Sequence, residues 1–283
     1  MPTVHANHID IYYEEYGQGE PLLLMAPTGW PGSVWHLEQV AFFAQHLRVI
    51  TYDQRGVGHS SKPDQEYTTA LLGEDALALL RAIDALPAHV LGFSMGGRSA
   101  QLMALDAPDA FRSLILAGSH PGAPGGRLGI PLEMAVALGE HGYGLDFWID
   151  HLLEDLPFSP EFRQRSPEKV RRLAETITAN QPPLKLYLRH VLARGSHVIG
   201  HRLADVRVPT LVIVGGEDRV LRSGGDHVTA ARQMAETIPG ARFAEVPRAR
   251  HLFPWEAPEV ANPLMLDFLQ LQLQASARVG AQS

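Results

Sequence analysis

The stretch HVLGFSMGGRSA, residues 89–100, joins a short apolar run to two adjacent glycines through a single serine. Ser94 is the centre of a G-x-S-x-G pattern, Gly92-Phe93-Ser94-Met95-Gly96, with Gly97 behind it. The apolar half predicts a buried strand, and SMGGRSAQLMALDA predicts a helix that opens at the serine. A sharp strand-to-helix turn strains its central residue and brings neighbouring backbone close, so side chains at positions 92, 96 and 97 would collide. The turn also sets Ser94 at a helix N-terminus, where free N–H groups and the positive dipole end favour an anion. Taken alone, the pattern suits a helix N-cap serine as well as a nucleophile, so its surroundings decide.

Those surroundings repeat one rhythm. IDIYYEEYG (9–17) alternates and is rich in aromatics, as in a strand of an opening hairpin. PLLLMAP (21–27) is apolar throughout, as in a strand buried on both faces. A helical stretch from Trp35 to Gln45, the strand LRVITYD, a helix over 67–86, the strand AHVLGF, the helix after Ser94 and the strand SLILAGS follow. This alternation predicts a parallel sheet with helices on both faces. From Gly118 to Arg207 no buried strand is visible. That stretch begins with the loop PGAPGG (121–126), and helices are expected near 131–140, 144–155, 166–180 and 183–194. Ser166-Pro167 reads as an N-cap with proline in the first helical position. The rhythm returns with VPTLVIVGGED (208–218), a helix near 226–238, the strand ARFAEVP (241–247) and a helix from Pro258 to Leu273. Residues beyond Ala275 read as a frayed tail.

Composition narrows the function classes. The 283 residues carry a formal net charge of −7, and the basic residues are scattered, which argues against nucleic acid or an anionic membrane as partner. Without cysteine, thiol catalysis, disulfides and cysteine-zinc sites are excluded. The N-terminus lacks the pattern of a secretory signal and no apolar run approaches the roughly 18 residues of a membrane helix, so a cytoplasmic protein is expected.

A serine hydroxyl is a weak nucleophile until a base takes its proton, and that base needs an orienting carboxylate. In chain order after such an elbow, an acid and then a histidine are expected at the ends of later strands. Asp218 stands just past LVIVGG and His251 in the loop after ARFAEVP. Glu217 is the weaker candidate for the acid. The reaction also needs donors for a developing oxyanion. The Met95 amide follows the nucleophile, and the loop APTGWPGSVW offers the Trp30 amide as the second.

The chain resembles the α/β-hydrolase superfamily nearly end to end, on the motifs GFSMGG, YDQRGVGHS (52–60), VPTLVIVGGED and HLFPWEAPE. Within it, the motifs look like those of esterases, lactonases and cofactor-free haloperoxidases. The resemblance implies an α/β fold with a mostly parallel sheet of about eight strands, flanked by helices, with a helical cap inserted after the sixth strand. It implies core segments 1–118 and 208–283 around a cap at 119–207. It carries over Ser94 as nucleophile, Asp218 as acid, His251 as base, and the Trp30 and Met95 amides as oxyanion hole. The sequence departs from it at Thr28-Gly29, where many members have His-Gly.

The expected activity is hydrolysis of a carboxylic ester or lactone of a small to medium, mainly apolar substrate through an acyl-serine. Acyl transfer, perhydrolysis of the haloperoxidase kind, and a low-turnover binding protein are the alternatives. No cofactor and no metal are expected, and the chain is expected to be a monomer or homodimer with a small-molecule partner. Trp30, Phe147, Trp148 and Phe253 are candidate pocket residues, although packing within the cap explains them equally well. His190, His197 and His201 could suggest a metal, but Gly195 and Gly200 interrupt the helix that would align them. RGVGHS lacks the spacing of a nucleotide loop and reads as a turn, with Asp53 and Arg55 as structural partners. Arg98, one turn after Ser94, reads as half of a structural ion pair, with selection of an acidic substrate as the other reading.

Overall fold

The structure, a computed structural model, describes residues 2–122, 132–153, 157–220 and 226–280. Its strands are β1 (Thr3–Ala6), β2 (Ile9–Tyr16), β3 (Pro21–Met25), β4 (Arg48–Tyr52), β5 (Ala88–Phe93), β6 (Phe111–Ala117), β7 (Thr210–Gly215) and β8 (Arg242–Val246). They form one eight-stranded sheet in the order β1-β2-β4-β3-β5-β6-β7-β8. β1 and β2 form an antiparallel hairpin, β2 also runs antiparallel to β4, and every other pairing is parallel.

Alternation along the strands explains the layers. Leu22, Leu24, Leu91, Phe93, Ile115 and Ile213 face one apolar layer, while Leu23, Met25, Val90, Leu114, Leu116 and Val212 face the other. The period of two sends successive side chains to opposite faces, so continuous apolar runs such as PLLLM serve both layers. Each such buried side chain stabilises the fold by roughly 1.5–3 kcal/mol.

The helices α1 (Val40–Phe43), α2 (Thr69–Ala82) and α3 (Met95–Asp106) connect successive strands. After β6 come α4 (Leu132–His141), α5 (Leu145–Leu153), α6 (Pro160–Arg165), α7 (Pro167–Ala179) and α8 (Leu184–Ser196), and no strand occurs among the described residues there. The chain then returns to β7, α9 (His227–Thr237), β8, α10 (Phe253–Glu256) and α11 (Pro258–Gly280).

Local details differ from the sequence reading. The helix expected over 35–45 is split into a 3-10 helix, Gly32–Leu37, and the single turn α1. The six-residue α6 is too short to show a period, yet it is capped by Ser159, whose Oγ accepts from Phe162 N at 3.2 Å. Ser166 does occupy the N-cap of α7 with Pro167 behind it, but its hydroxyl makes no cap bond. The expected frayed tail continues instead as helix to Gly280, through a stretch rich in the helix formers Gln and Ala. Most of the loop 121–126, and the ends of the segments expected at 131–140 and 144–155, lie outside the described residues. Asp53 and Arg55 do not pair with each other. Asp53 accepts the Gly32 and His59 amides at 2.8 Å each, and Arg55 forks onto both oxygens of Asp75 at 2.6 Å.

The helices after β6 are tied to the sheet by specific polar contacts. Glu256 accepts the Ser159 amide at 3.1 Å on one oxygen and the Arg250 amide at 2.9 Å on the other. His190 on α8 donates to the Arg55 carbonyl at 3.0 Å, and Lys185 and Arg189 both pair with Asp64.

Candidate active site

Ser94 sits between β5 and α3 with φ +52° and ψ −113°. A non-glycine residue held there costs about 1–3 kcal/mol and persists only when its surroundings over-determine it. They do so here. The Ser94 amide donates to the Ala117 carbonyl at 2.9 Å, and the Ser119 hydroxyl donates to the Ser94 carbonyl at 2.8 Å. The expected collisions are real. A Cβ at Gly92 would lie 2.6 Å from the Gly97 Cα, one at Gly97 would lie 2.6 Å from the Ser119 Cβ, and one at Gly96 would run into the Met25 carbonyl. The glycines let α3 pack directly against the ends of β3 and β5. The serine hydroxyl is thereby left at the carboxyl edge of the sheet, partly open to solvent.

Asp218 and His251 arrive from the ends of β7 and β8. Asp218 is fully buried, and its Oδ2 lies 2.7 Å from His251 Nδ1. His251 Nε2 lies 3.3 Å from Ser94 Oγ. The carboxylate is an acceptor, so His251 Nδ1 carries the proton and Nε2 presents its lone pair to the serine hydroxyl. The structure thus brings together all three side chains singled out in the sequence, and Asp218 rather than Glu217 meets the imidazole.

Sequence reasoning missed a fourth group. His227, the first residue of α9, places Nδ1 3.0 Å from the same Asp218 oxygen and is itself buried. Its ring stands edge-on to His251, with centroids 5.1 Å apart. Burial alone would raise the Asp218 pKa, but the two imidazoles outweigh it and hold the carboxyl well below the usual carboxylate range. Burial pushes His227 the other way, toward its neutral form. No periodic or motif signal marks His227 in the sequence. Asp218, His227 and His251 are the only group among the described residues whose ligand atoms converge closely enough for a metal. Both imidazole Nδ1 atoms already face the one Asp218 oxygen, at 2.7 and 3.0 Å, the arrangement of a hydrogen-bonded relay. His190, His197 and His201 do not converge. His190 bonds to Arg55, His197 Nδ1 meets the Thr69 hydroxyl at 2.9 Å, and His201 is exposed.

The two candidate oxyanion donors differ. Met95 opens α3, so its N–H projects from the helix N-terminus without an acceptor one turn earlier. The Trp30 N–H is bonded to the Pro27 carbonyl at 3.2 Å, closing a turn whose third residue, Gly29, has φ +66°. Thr28 accepts from Arg194 Nη1 at 3.4 Å, which ties this loop to α8. The four candidate pocket residues are all buried. Trp30 packs on Trp148 of α5 and on Trp255, whereas Phe253 lies against Phe93 beneath the elbow.

This sheet order, with a strained serine after the fifth strand and its partners after the seventh and eighth, has a counterpart among known families. The alpha/beta hydrolase fold family matches residues 23–258. The chain belongs to that family. A candidate carbamate hydrolase, RutD of Azorhizobium caulinodans, is 28% identical over 95% of this chain and 98% of its own length. The 3-oxoadipate enol-lactonase 2 of Acinetobacter baylyi is 29% identical over 92% and 93%. Among solved structures, the enol-lactonase from Burkholderia xenovorans LB400 superposes with a TM-score of 0.81 at 25% identity, covering 95% of this chain and all of that one. These relatives are hydrolases, and they support hydrolase activity for this member of the fold. None of the helices among the described residues is long and apolar enough to cross a membrane.

Proposed function

We propose that this hydrolase cleaves a carboxylic ester or lactone through an acyl intermediate on Ser94. The observation that carries the reading is the unbroken path from Asp218 through His251 to a partly open Ser94, with spacings of 2.7 and 3.3 Å. His251 Nε2 takes the hydroxyl proton as Ser94 Oγ attacks the substrate carbonyl carbon. The Met95 amide receives the oxyanion, joined by the Trp30 amide, which shares its proton between Pro27 and the new charge. The tetrahedral adduct collapses as His251 passes the proton to the departing alkoxide oxygen. Water then attacks the acyl-serine by the reverse sequence, and Ser94 regains its proton. Asp218 keeps the imidazole oriented and stabilises its cationic form. None of these steps calls for a metal or organic cofactor. Residues 119–207 act as a cap, and the aromatic contact between Trp30 and Trp148 joins that cap to the oxyanion loop.

The enol-lactonase relatives support an activated acyl oxygen ester as substrate. The test is a panel of chromogenic esters and lactones graded by acyl length, followed by intact-protein mass spectrometry during turnover. The expected result is hydrolysis of part of the panel and a transient mass increase equal to the acyl group, mapped to Ser94. Turnover with an adduct on another residue, or turnover unaffected by loss of the Ser94 hydroxyl, would overturn the mechanism. An alcohol or peroxide outcompeting water for the acyl group would redirect it to acyl transfer or perhydrolysis.

A further inference from the structure

Arg98 is a charged residue beside the elbow that the proposed mechanism leaves without a task. It lies one helical turn beyond Ser94, its amide donating to the Ser94 carbonyl at 3.3 Å. Its guanidinium reaches Arg194 O on α8 and the Nε2 of His120, in the loop after β6. The structural ion pair expected from the sequence is not there: no carboxylate among the described residues pairs with Arg98. Arg55 shows what a satisfied buried arginine looks like in this same molecule, with both oxygens of Asp75 at 2.6 Å.

The second partner of Arg98 is itself mismatched. His120 Nδ1 accepts from the Gly122 amide at 3.0 Å, while Nε2 faces the guanidinium. Backbone amide and guanidinium are both donors only, and a neutral imidazole offers one lone pair for the two of them. One contact therefore sets N–H against N–H. Donors outnumber acceptors at this contact, and an anion is the partner that such donors suit.

Its position fits a substrate group. His120 stands edge-on to His227 at 5.2 Å, and His227 stands edge-on to His251 at 5.1 Å, so the cluster is two ring contacts from the base that faces Ser94. Arg98 also remains partly open to solvent. We infer that Arg98, backed by His120, receives a free carboxylate of the substrate, so that the preferred ester or lactone carries a carboxylate separate from its reacting carbonyl. This deepens the serine-hydrolase reading and rests on it. A planar guanidinium fork matches a carboxylate with two parallel bonds, and one uncompensated guanidinium answers one negative charge. The electrostatics agree with a site suited to an anion. Burial and the nearby Arg194 push Arg98 down to about 9. Burial, with the Arg98 charge second, pushes His120 down to about 2.

The experiment compares p-nitrophenyl hemiglutarate with p-nitrophenyl valerate, which differ in a terminal carboxylate against a methyl group. The expected result is that the wild type favours the hemiglutarate in kcat/KM, and that Arg98→Met lowers the hemiglutarate-to-valerate ratio about 100-fold. A ratio unchanged by the substitution would overturn the inference. Calorimetry on the wild type supplies a readout independent of the variant's folding: glutarate should bind and its neutral diamide should not. Equal binding of the two, or binding of neither, would also overturn it. Glutarate binding with no turnover of any ester would instead leave the carboxylate site standing and sink the hydrolase reading.

Discussion

The sheet carries two serine–histidine–carboxylate arrays, one at each end. At the carboxyl end, Ser94, His251 and Asp218 are spaced 3.3 and 2.7 Å apart. Toward the amino end, Ser113 Oγ lies 2.7 Å from His89 Nδ1, and His89 Nε2 lies 3.1 Å from Glu20 Oε2. By residue type and distance the second array is as good as the first, and its serine is closer to its imidazole. The differences are in the backbone and the access. Ser113 is fully buried and is the register partner of His89, beside the register shift at Ala88/His89 in the paired strands β5 and β6. Its full burial keeps a substrate carbonyl away from it. Ser94 has the strained turn, the open helix N-terminus and the partial exposure. Glu20 also pairs with Arg112 at 3.3 Å, so its charge answers a guanidinium as well as the imidazole. The lesson is that a nucleophile is made by the turn beneath it and the donors beside it as much as by the base next to it.

Paired substitutions sharpen that contrast. Ser94→Ala should lower kcat/KM for the best ester by about 10⁴–10⁶-fold. Ser113→Ala, measured in the same assay, should leave it unchanged. Comparable losses from both would mean that the Ser94 effect is a folding defect, which far-ultraviolet dichroism of the two variants would reveal. The carboxylates come next. Asp218→Asn should cost about 10⁴-fold, because an amide facing His251 Nδ1 favours the tautomer whose Nε2 carries a proton and cannot take one from serine. Glu20→Gln should not alter the rate. A mild effect at Asp218 would transfer its orienting role to a neighbour and break the first array as drawn.

Much of the first array was readable because each member follows its own apolar run. PLLLM, HVLGF, LVIVGG and ARFAEV announce strands, and the active groups stand where those strands end. The glycines around Ser94 were readable for the same reason, since a close backbone approach admits nothing else. His227 was not readable, because its only mark is a position one residue after the N-cap Asp226, and the contact it makes depends on how α9 returns over β7. The surroundings of Arg98 were hidden in the same way, since His120 and Arg194 come from distant segments and only the tertiary fold brings them to its guanidinium. The turn that engages the Trp30 amide did leave a trace: Pro27-Thr28-Gly29-Trp30 has glycine in the third position, where a type II turn requires a positive φ. The 3-10 segment Gly32–Leu37 had none, because its six residues are shorter than a helical period can reveal.

The smallest expected effect separates the arrays by stability rather than rate. Burial pushes His89 toward its neutral form, against the opposing pull of Glu20. Burial likewise pushes His190 down to about 4 and His197 down to about 3. In the unfolded chain these groups take protons near the ordinary histidine value of about 6.5. Between that value and their folded values the unfolded state binds more protons than the folded one, so stability is lost as pH falls through that window. Each buried imidazole adds at most about 1.4 kcal/mol per pH unit to the slope. Urea midpoints measured from pH 7 to pH 4.5 should therefore decline, and His89→Gln should make the decline shallower without altering ester hydrolysis at pH 7. An unchanged slope would mean that His89 is charged in the folded protein. Glu20 would then be its ion-pair partner, and the second array would differ from the first in protonation as well as in lacking the strained turn.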